Sequence, residues 1–380
     1  MNRVTADMPP KPLSVIHQGL AERLLSIHGD IKDDDGLAAL SRVAIALYDE
    51  RTDILKTFIH SSEGISPLDH SSATLANLPT LKHLAETGER RVINDLEAVA
   101  ATGQEHAARL VSFGYRASFT LPIRSKDWFF GFLFLNSMEK DFFTPQVVHR
   151  LRPYAELIAQ VVMRELDLVR MMQSAVRIIR QVSTVRDEET GAHLARMARY
   201  ARLIAIKLAD RHQLSDEFIE YLFQFTPLHD VGKISVPDNI LFKPGKLDPH
   251  EYEIMKGHVG RGLEIIDLMA DDFGMQSMAY FSVLRNVIAY HHEALDGSGY
   301  PHGLRGREIP LEARIAAVAD VFDALTSDRP YKKAWSNQAA IDLLVDQSGT
   351  KFDPDCVAAL IQCEAEIAEI QSRFEETVFD

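Results

Sequence analysis

His229 and Asp230, inside the run Leu228-His229-Asp230-Val231-Gly232-Lys233, offer an imidazole nitrogen and a carboxylate oxygen from adjacent positions. That donor set suits iron, manganese or zinc. The pair is weak evidence alone, because His-Asp dipeptides also sit on solvated helix faces. More ligand-type residues flank it: Glu189 and His193 in ETGAH, His258 in KGHV, the doublet His291-His292, and Asp320 in ADVFDAL. Glu189 and His193 are four apart, so on a helix they share a face and can grip one ion, or merely bond to each other. His291 and His292 would point roughly 100° apart on a helix, so they could serve different ions of one cluster. Singly, His258 reads as a satisfied surface histidine.

Two further stretches bear on a substrate. In Gly297-Ser298-Gly299-Tyr300-Pro301 the two glycines permit backbone angles that a side chain forbids, and Pro301 fixes the exit. Such a turn is structural and can also wall a site. Arg329 and Lys332 in SDRPYKK could grip phosphate, the guanidinium bidentately and the ammonium as a point charge, or belong to an ordinary basic loop. Asp323, one helical turn after Asp320, faces the same side; it either orients Lys233 or a ligand, or faces solvent.

The ordered combination ETGxH, HDxGK, a lone His, HHEALDGSGYP and ADVFDALTSDRPYKKA, closed by GTKFDPDCVAAL, resembles the HD-GYP family, a subgroup of the HD hydrolases. The resemblance runs from about Arg186 to the C-terminus. It implies metal ligands at Glu189, His193, His229, Asp230, His258, His291, His292 and Asp320, with no ligand position substituted. It further implies two or three ions, three being favoured by the retained Glu189, with iron first and manganese as competitor. The implied reaction is hydrolysis of cyclic di-GMP to pGpG and onward to GMP. Asp230 and Lys233 would act at the chemical step, Lys233 by steadying phosphate charge or protonating the leaving 3′-oxygen. Gly299, Tyr300 and Pro301 fall on the family's substrate-selecting loop, Arg329 and Lys332 on its phosphate contacts. Two alternatives stay open: a protein that binds cyclic di-GMP with little turnover, and a hydrolase of another cyclic dinucleotide such as cyclic GMP-AMP.

These residues need a helical frame, and after Arg186 helical periodicity dominates, so residues 186–380 are expected to form an all-α domain. Upstream, Val43 to Tyr48, Ala117 to Ile123 and Trp128 to Leu135 are strand-like apolar runs, with Ser125-Lys126-Asp127 as a hairpin turn. The order of helix, strand pair, helical middle and hairpin resembles the GAF family of small-molecule sensors over roughly residues 20–165. That implies an α+β domain, an antiparallel sheet with helices. Its ligand stays unknown: the cyclic-nucleotide signature begun by Asn136 is broken at Ser137 and Val147, and no cysteine precedes Cys356 to hold a bilin. Residues 1–19 are expected to be a flexible N-terminus. Leu151, Tyr154, Ile158, Val162, Leu166, Val169, Met172, Val176 and Ile179 describe one stripe on a long helix, whose part over 166–185 would connect the domains as a signalling helix. The stripe pairs with its twin in a homodimer or packs on its own chain.

The 46% hydrophobic content is ample for two cores in a chain of 380 residues. A net charge of −14 argues against general affinity for DNA, RNA or anionic membrane, which demand clustered Lys and Arg. No apolar run reaches the roughly 18 residues of a membrane span and no secretion signal is visible, so a cytoplasmic protein is expected. Cys356 and Cys363, read as sharing one helix, would lie roughly 10 Å apart along its axis. That is too far for a disulfide, and they are expected to be core thiols.

Overall fold

Aromatic and branched residues in three of the runs above build the centre of a six-stranded antiparallel sheet. The computed structural model describes residues 19–62, 68–125, 128–182, 191–278, 280–328 and 333–375. It divides into two compact units, one from Gln18 to Leu168 and one from Val169 onward. The expected flexible N-terminus lies outside the described residues but for Gly19.

The first unit opens with helix α1 (Leu20–Lys32), followed by β1 (Leu40–Asp49), β2 (Ile54–Ser62) and β3 (Ser72–Thr74). Next come α2 (Pro79–Thr87), β4 (Arg91–Ile93), α3 (Leu96–Ala100), α4 (Glu105–Ser112), β5 (Ala117–Arg124) and β6 (Phe129–Ser137). The strand order is β3-β2-β1-β6-β5-β4. This is the expected α+β architecture. β1 is apolar on both faces because helices and loops cover both; Ala44, Ala46, Phe132 and Phe134 pack with Leu75, Leu81 and Leu84 on one of them. The hairpin turn closes through the Ser125 N–H to the Trp128 carbonyl at 2.9 Å, while Lys126 and Asp127 lie outside the described residues. β2 was hidden in the sequence by Lys56, Thr57 and His60, polar residues that interrupt its apolar pattern.

Helix α5 (Pro145–Val182) runs from one unit into the other. Its expected stripe is buried at Leu151, Ile158, Val162, Leu166, Val169, Met172 and Val176. The stripe is therefore packed within its own chain, and the reading that pairs it with a twin is corrected. Leu157, Met171 and Ile178, on a different face, are 50%, 47% and 58% exposed.

The second unit is all-helical: α6 (Gly191–His212), α7 (Asp216–Phe225), α8 (Asp238–Leu241), α9 (Pro249–Lys256), α10 (His258–Phe273), α11 (Phe281–Tyr290), α12 (Leu311–Thr326), α13 (Asn337–Asp346), α14 (Pro354–Ile361) and α15 (Glu364–Arg373). Caps explain several starts. Ser215 accepts from the Phe218 N–H at 3.1 Å, and Asp248 with Glu251 forms a capping box on α9. Small buried residues on α6 (Ala198, Ala201, Ala205) and on α12 (Ala313, Ala316, Ala319) let these two helices approach closely. Cys356 lies in α14, but Cys363 caps the start of α15, so the expectation of one shared helix is corrected. Both are free, buried thiols. Among the described residues no helix is long and apolar enough to cross a membrane.

Gly131 in β6 has φ +147°, and a β-carbon there would sit 1.9 Å from the Ala46 carbonyl oxygen of β1. Gly131→Ala is therefore expected to destabilise the first unit by about 2–3 kcal/mol. A urea titration read through Trp128, with Trp335 replaced by Phe, should show the earlier midpoint; an unchanged midpoint would contradict the close approach.

Candidate metal centre

His229 and Asp230 do not sit on a regular helix. They lie between two short 3-10 turns, Thr226–Leu228 and Val231–Ser235. The irregular backbone turns both side chains inward, and both residues are buried. Gly232 lets this segment press on the start of α10: a β-carbon there would be 1.8 Å from the His258 carbonyl oxygen and 2.5 Å from the Gly262 nitrogen. The motif glycine is thus a contact requirement, and it brings Asp230 against His258, the first residue of α10.

Asp230, His258, His291 and His292 form one group whose potential ligand atoms all lie within 4.8 Å of one another; His193, His229 and Asp320 form a second under the same limit. Asp230 Oδ1 is 2.9 Å from His258 Nε2 and 3.6 Å from His291 Nε2. Asp230 Oδ2 is 3.0 Å from His229 Nε2 and 2.7 Å from Lys233 Nζ. His193 Nε2 is 3.8 Å from Asp320 Oδ1, and the His193 and His229 rings are 6.2 Å apart.

The other ring nitrogens are already committed. His229 Nδ1 faces the Thr226 carbonyl at 3.1 Å, His258 Nδ1 the Met255 carbonyl at 2.7 Å, and His291 Nδ1 the Val287 carbonyl at 2.9 Å. A carbonyl can only accept, so each Nδ1 carries the proton and each Nε2 keeps a lone pair aimed at the centre. The buried Nε2 atoms of His258 and His291 and the buried Oδ1 of Asp230 have no hydrogen-bond partner. Orphaned acceptors from imidazole and carboxylate, converging on one point, fit a divalent cation of the borderline transition-metal type.

Burial works to raise the Asp230 carboxyl, but Lys233 and His229 outweigh it and hold the group well below the usual carboxylate range. Burial, and then repulsion from His291, pushes His292 well below the ordinary histidine value. A charged carboxylate and a neutral imidazole are the forms a cation requires.

Seven of the eight residues expected as ligands therefore occupy the two adjoining groups; Glu189 lies outside the described residues, as do Arg329 and Lys332. Asp323 is fully buried and accepts from His193 Nδ1 at 2.7 Å. It orients the His193 ring and is shielded from solvent, and Lys233 pairs with Asp230 instead. Gly297 does take a positive φ of +79°, but Gly299 does not, so that expectation is corrected: a β-carbon on Gly299 would meet the Ala294 nitrogen at 2.3 Å and the His292 oxygen at 2.5 Å. Its small size lets the loop fold back on the histidine doublet. Tyr300 then stacks on His292, ring centres 4.6 Å apart.

Four contributors escaped the sequence reading: Arg196, Glu293, Tyr252 and Lys256. Arg196 donates to Asp323 through Nε at 2.7 Å and Nη2 at 2.9 Å; its place three residues after His193, on the same helix face, was the available signal. Glu293 accepts from the His302 and Leu304 N–H groups at 2.7 and 3.0 Å, which ties down the glycine loop. The same loop is bonded to the GTKF stretch, Asp296 N–H to the Thr350 carbonyl at 2.8 Å. Tyr252 and Lys256 of α9 complete the wall: Tyr252 meets Tyr300 edge-on at 6.3 Å, and Lys256 Nζ lies 5.3 and 5.7 Å from the centres of those two rings.

Residues 186–356 match the HD domain family. The chain is 47% identical over 189 residues to the cyclic di-GMP phosphodiesterase response regulator RpfG of Xanthomonas campestris pv. campestris, with 50% of this chain and 47% of that protein covered. It is 39% identical over 196 residues to 3'3'-cGAMP-specific phosphodiesterase 2 of Vibrio cholerae serotype O1, with 52% of this chain and 35% of that protein covered. The chain thus spans half or less of the length of these curated relatives. A solved GAF domain/HD domain protein from Geobacter sulfurreducens aligns at 12% identity and a TM-score of 0.30, covering 38% of this chain and 93% of that one.

Arg196→Met would leave Asp323 buried without its cation. The expected cost is about 3 kcal/mol in urea unfolding, together with weaker metal retention because His193 loses its brace. Wild-type stability in this variant would refute the clamp.

Proposed function

We propose that this chain, whose residues 186–356 match the HD domain family, is a metal-dependent phosphodiesterase that hydrolyses cyclic di-GMP to pGpG or on to GMP. The observation that carries this reading is the buried convergence of Asp230, His258, His291 and His292 beside His193, His229 and Asp320. These seven, with Glu189, are the proposed ligands of two or three ions; iron is favoured and manganese competes. When bound, such ions neutralise phosphate oxygens and make water a stronger nucleophile near neutral pH.

The chain's own groups account for the rest. Asp230 serves both as ligand and as the counter-charge of Lys233, whose ammonium it holds at 2.7 Å on the rim of the cluster. From there Lys233 stabilises charge gathering on the phosphate and can deliver a proton to the leaving 3′-oxygen. Tyr300 presents an aromatic face beside the cluster for a purine base, with Gly299 and Pro301 shaping that loop. Arg329 and Lys332 are proposed to hold the second phosphate. Residues 186–380 would be the hydrolase, 20–165 the GAF-like sensor, and 166–185 the connector between them.

The cGAMP-specific relative favours a second reading of the substrate. Competition between cyclic di-GMP and 3'3'-cGAMP for turnover decides between them, and binding without any product would leave only a receptor. A homodimer is proposed on the other face of α5, where Leu157, Met171 and Ile178 recur at heptad spacing.

His258→Ala is expected to lose bound metal and to lower turnover at least roughly 100-fold. Lys233→Ala should lower turnover roughly 100-fold at nearly unchanged metal content. Metal analysis beside a pGpG assay separates the two; full activity in either variant would end the proposal. Met171→Glu with Ile178→Glu should shift light scattering to the monomer mass, and a shortened chain starting near Met171 should differ from the full chain in activity if the first unit regulates.

A further inference from the structure

The first unit contains a cavity of about 940 Å³ that the hydrolase reading leaves unused. Its floor is the sheet face carrying Ala44, Ala46 and Phe134, and Leu55, Leu78 and Leu81 extend that apolar lining. Into it project Arg42 from β1, Arg91 from β4 and Arg109 from α4, with His106 between them in charge terms. Glu105 is the one carboxylate among the described lining residues. Asp69, which acts on Arg42 from outside the lining, is held by His60 at 2.9 Å.

Arg42 is only 2% exposed. Its Nη1 donates to Asn136 Oδ1 at 3.0 Å, but its Nε is buried with no partner, and the same is true of Arg91 Nε. A buried donor left unmatched forfeits a hydrogen bond it would have made in water, and two at one cavity are unusual for a lining whose purpose is packing alone. Burial lowers Arg42 to about 10, against the opposing pull of Tyr115 and Asp69. His106 is accessible to solvent yet crowded by protein; burial, followed by repulsion from Arg42, Arg91 and Arg109, lowers it to about 4. His106 and the three guanidinium groups line the same cavity.

We propose that this cavity binds a small amphipathic anion, its carboxylate or phosphate head held by Arg42, Arg91 and Arg109 and its apolar body laid against Ala44, Ala46 and Phe134. Guanidinium forks match planar or tetrahedral oxyanions, and the volume is that of an ordinary small-molecule pocket lined mainly by apolar groups. A wholly polar anion would leave the floor uncovered, and a neutral amphiphile would leave the buried Nε donors unanswered.

The test is calorimetric titration of the full chain with decanoate, decyl phosphate, decanol and inorganic phosphate. At least one of the first two should bind saturably at one per chain, and at least 10-fold tighter than decanol and than inorganic phosphate; the tighter of the two names the head group. Arg91→Leu should weaken that binding at least 10-fold, and Ala44→Phe, which fills the cavity from its apolar side, should abolish it. Arg91 is only half-buried, so its variant stays informative even if Arg42→Leu fails to fold. The proposal is overturned if neither decanoate nor decyl phosphate binds, if decanol binds as tightly, or if Arg91→Leu binds like the wild type.

Discussion

A single buried carboxylate organises the second unit. Asp230 is held ionised in the interior, with three imidazole nitrogens and one ammonium around its two oxygens. Such a charge is tolerable only where opposite charge is brought to it. Lys233 supplies one unit of it at 2.7 Å, and His229, whose Nε2 lies 3.0 Å from the same oxygen, adds to the field that keeps the carboxyl ionised. The surrounding architecture follows from this requirement. Gly232 admits the backbone approach that delivers His258, the end of α11 delivers His291 and His292, and α12 delivers Asp320 together with the Asp323 that braces His193.

Much of this centre was legible in the sequence because metal ligands are a matter of residue type and order, and both survive in a linear string. Their geometry was less so. Nothing in the sequence places the His-Asp pair between two 3-10 turns, an irregular backbone that turns both side chains inward. Gly299 reads from sequence as a conformational glycine, yet it is required by the proximity of His292, a relation between backbones that no spacing announces. Arg196 and Glu293 look like ordinary helix and loop charges until their partners are known.

The first unit shows the same divide. Runs such as ASFTLPI and WFFGFLFL declare strands because aromatic and branched residues fit a pleated surface buried on both sides. β2 does not, since Lys56, Thr57 and His60, which line the cavity, break its pattern. On α5 the periodicity identified a buried stripe correctly but not what buries it. Period alone cannot tell a partner helix from the chain's own core.

The two sites also differ in the sign of what they leave unmatched. At the histidine–aspartate cluster of the second unit these atoms are His258 Nε2, His291 Nε2 and Asp230 Oδ1, which accept; at the cavity of the first they are the Nε atoms of Arg42 and Arg91, which donate. Protein interiors rarely keep such atoms without a reason, because each forfeits a hydrogen bond it would have made in water. Convergent acceptors call for a cation and convergent donors for an anion, so the polarity of the unmatched atoms carries information about ligand charge that neither volume nor fold supplies. A chain with net charge −14 that still concentrates three guanidinium groups on one cavity does so against its overall composition. Local placement, and not bulk charge, then decides which small ions it recruits.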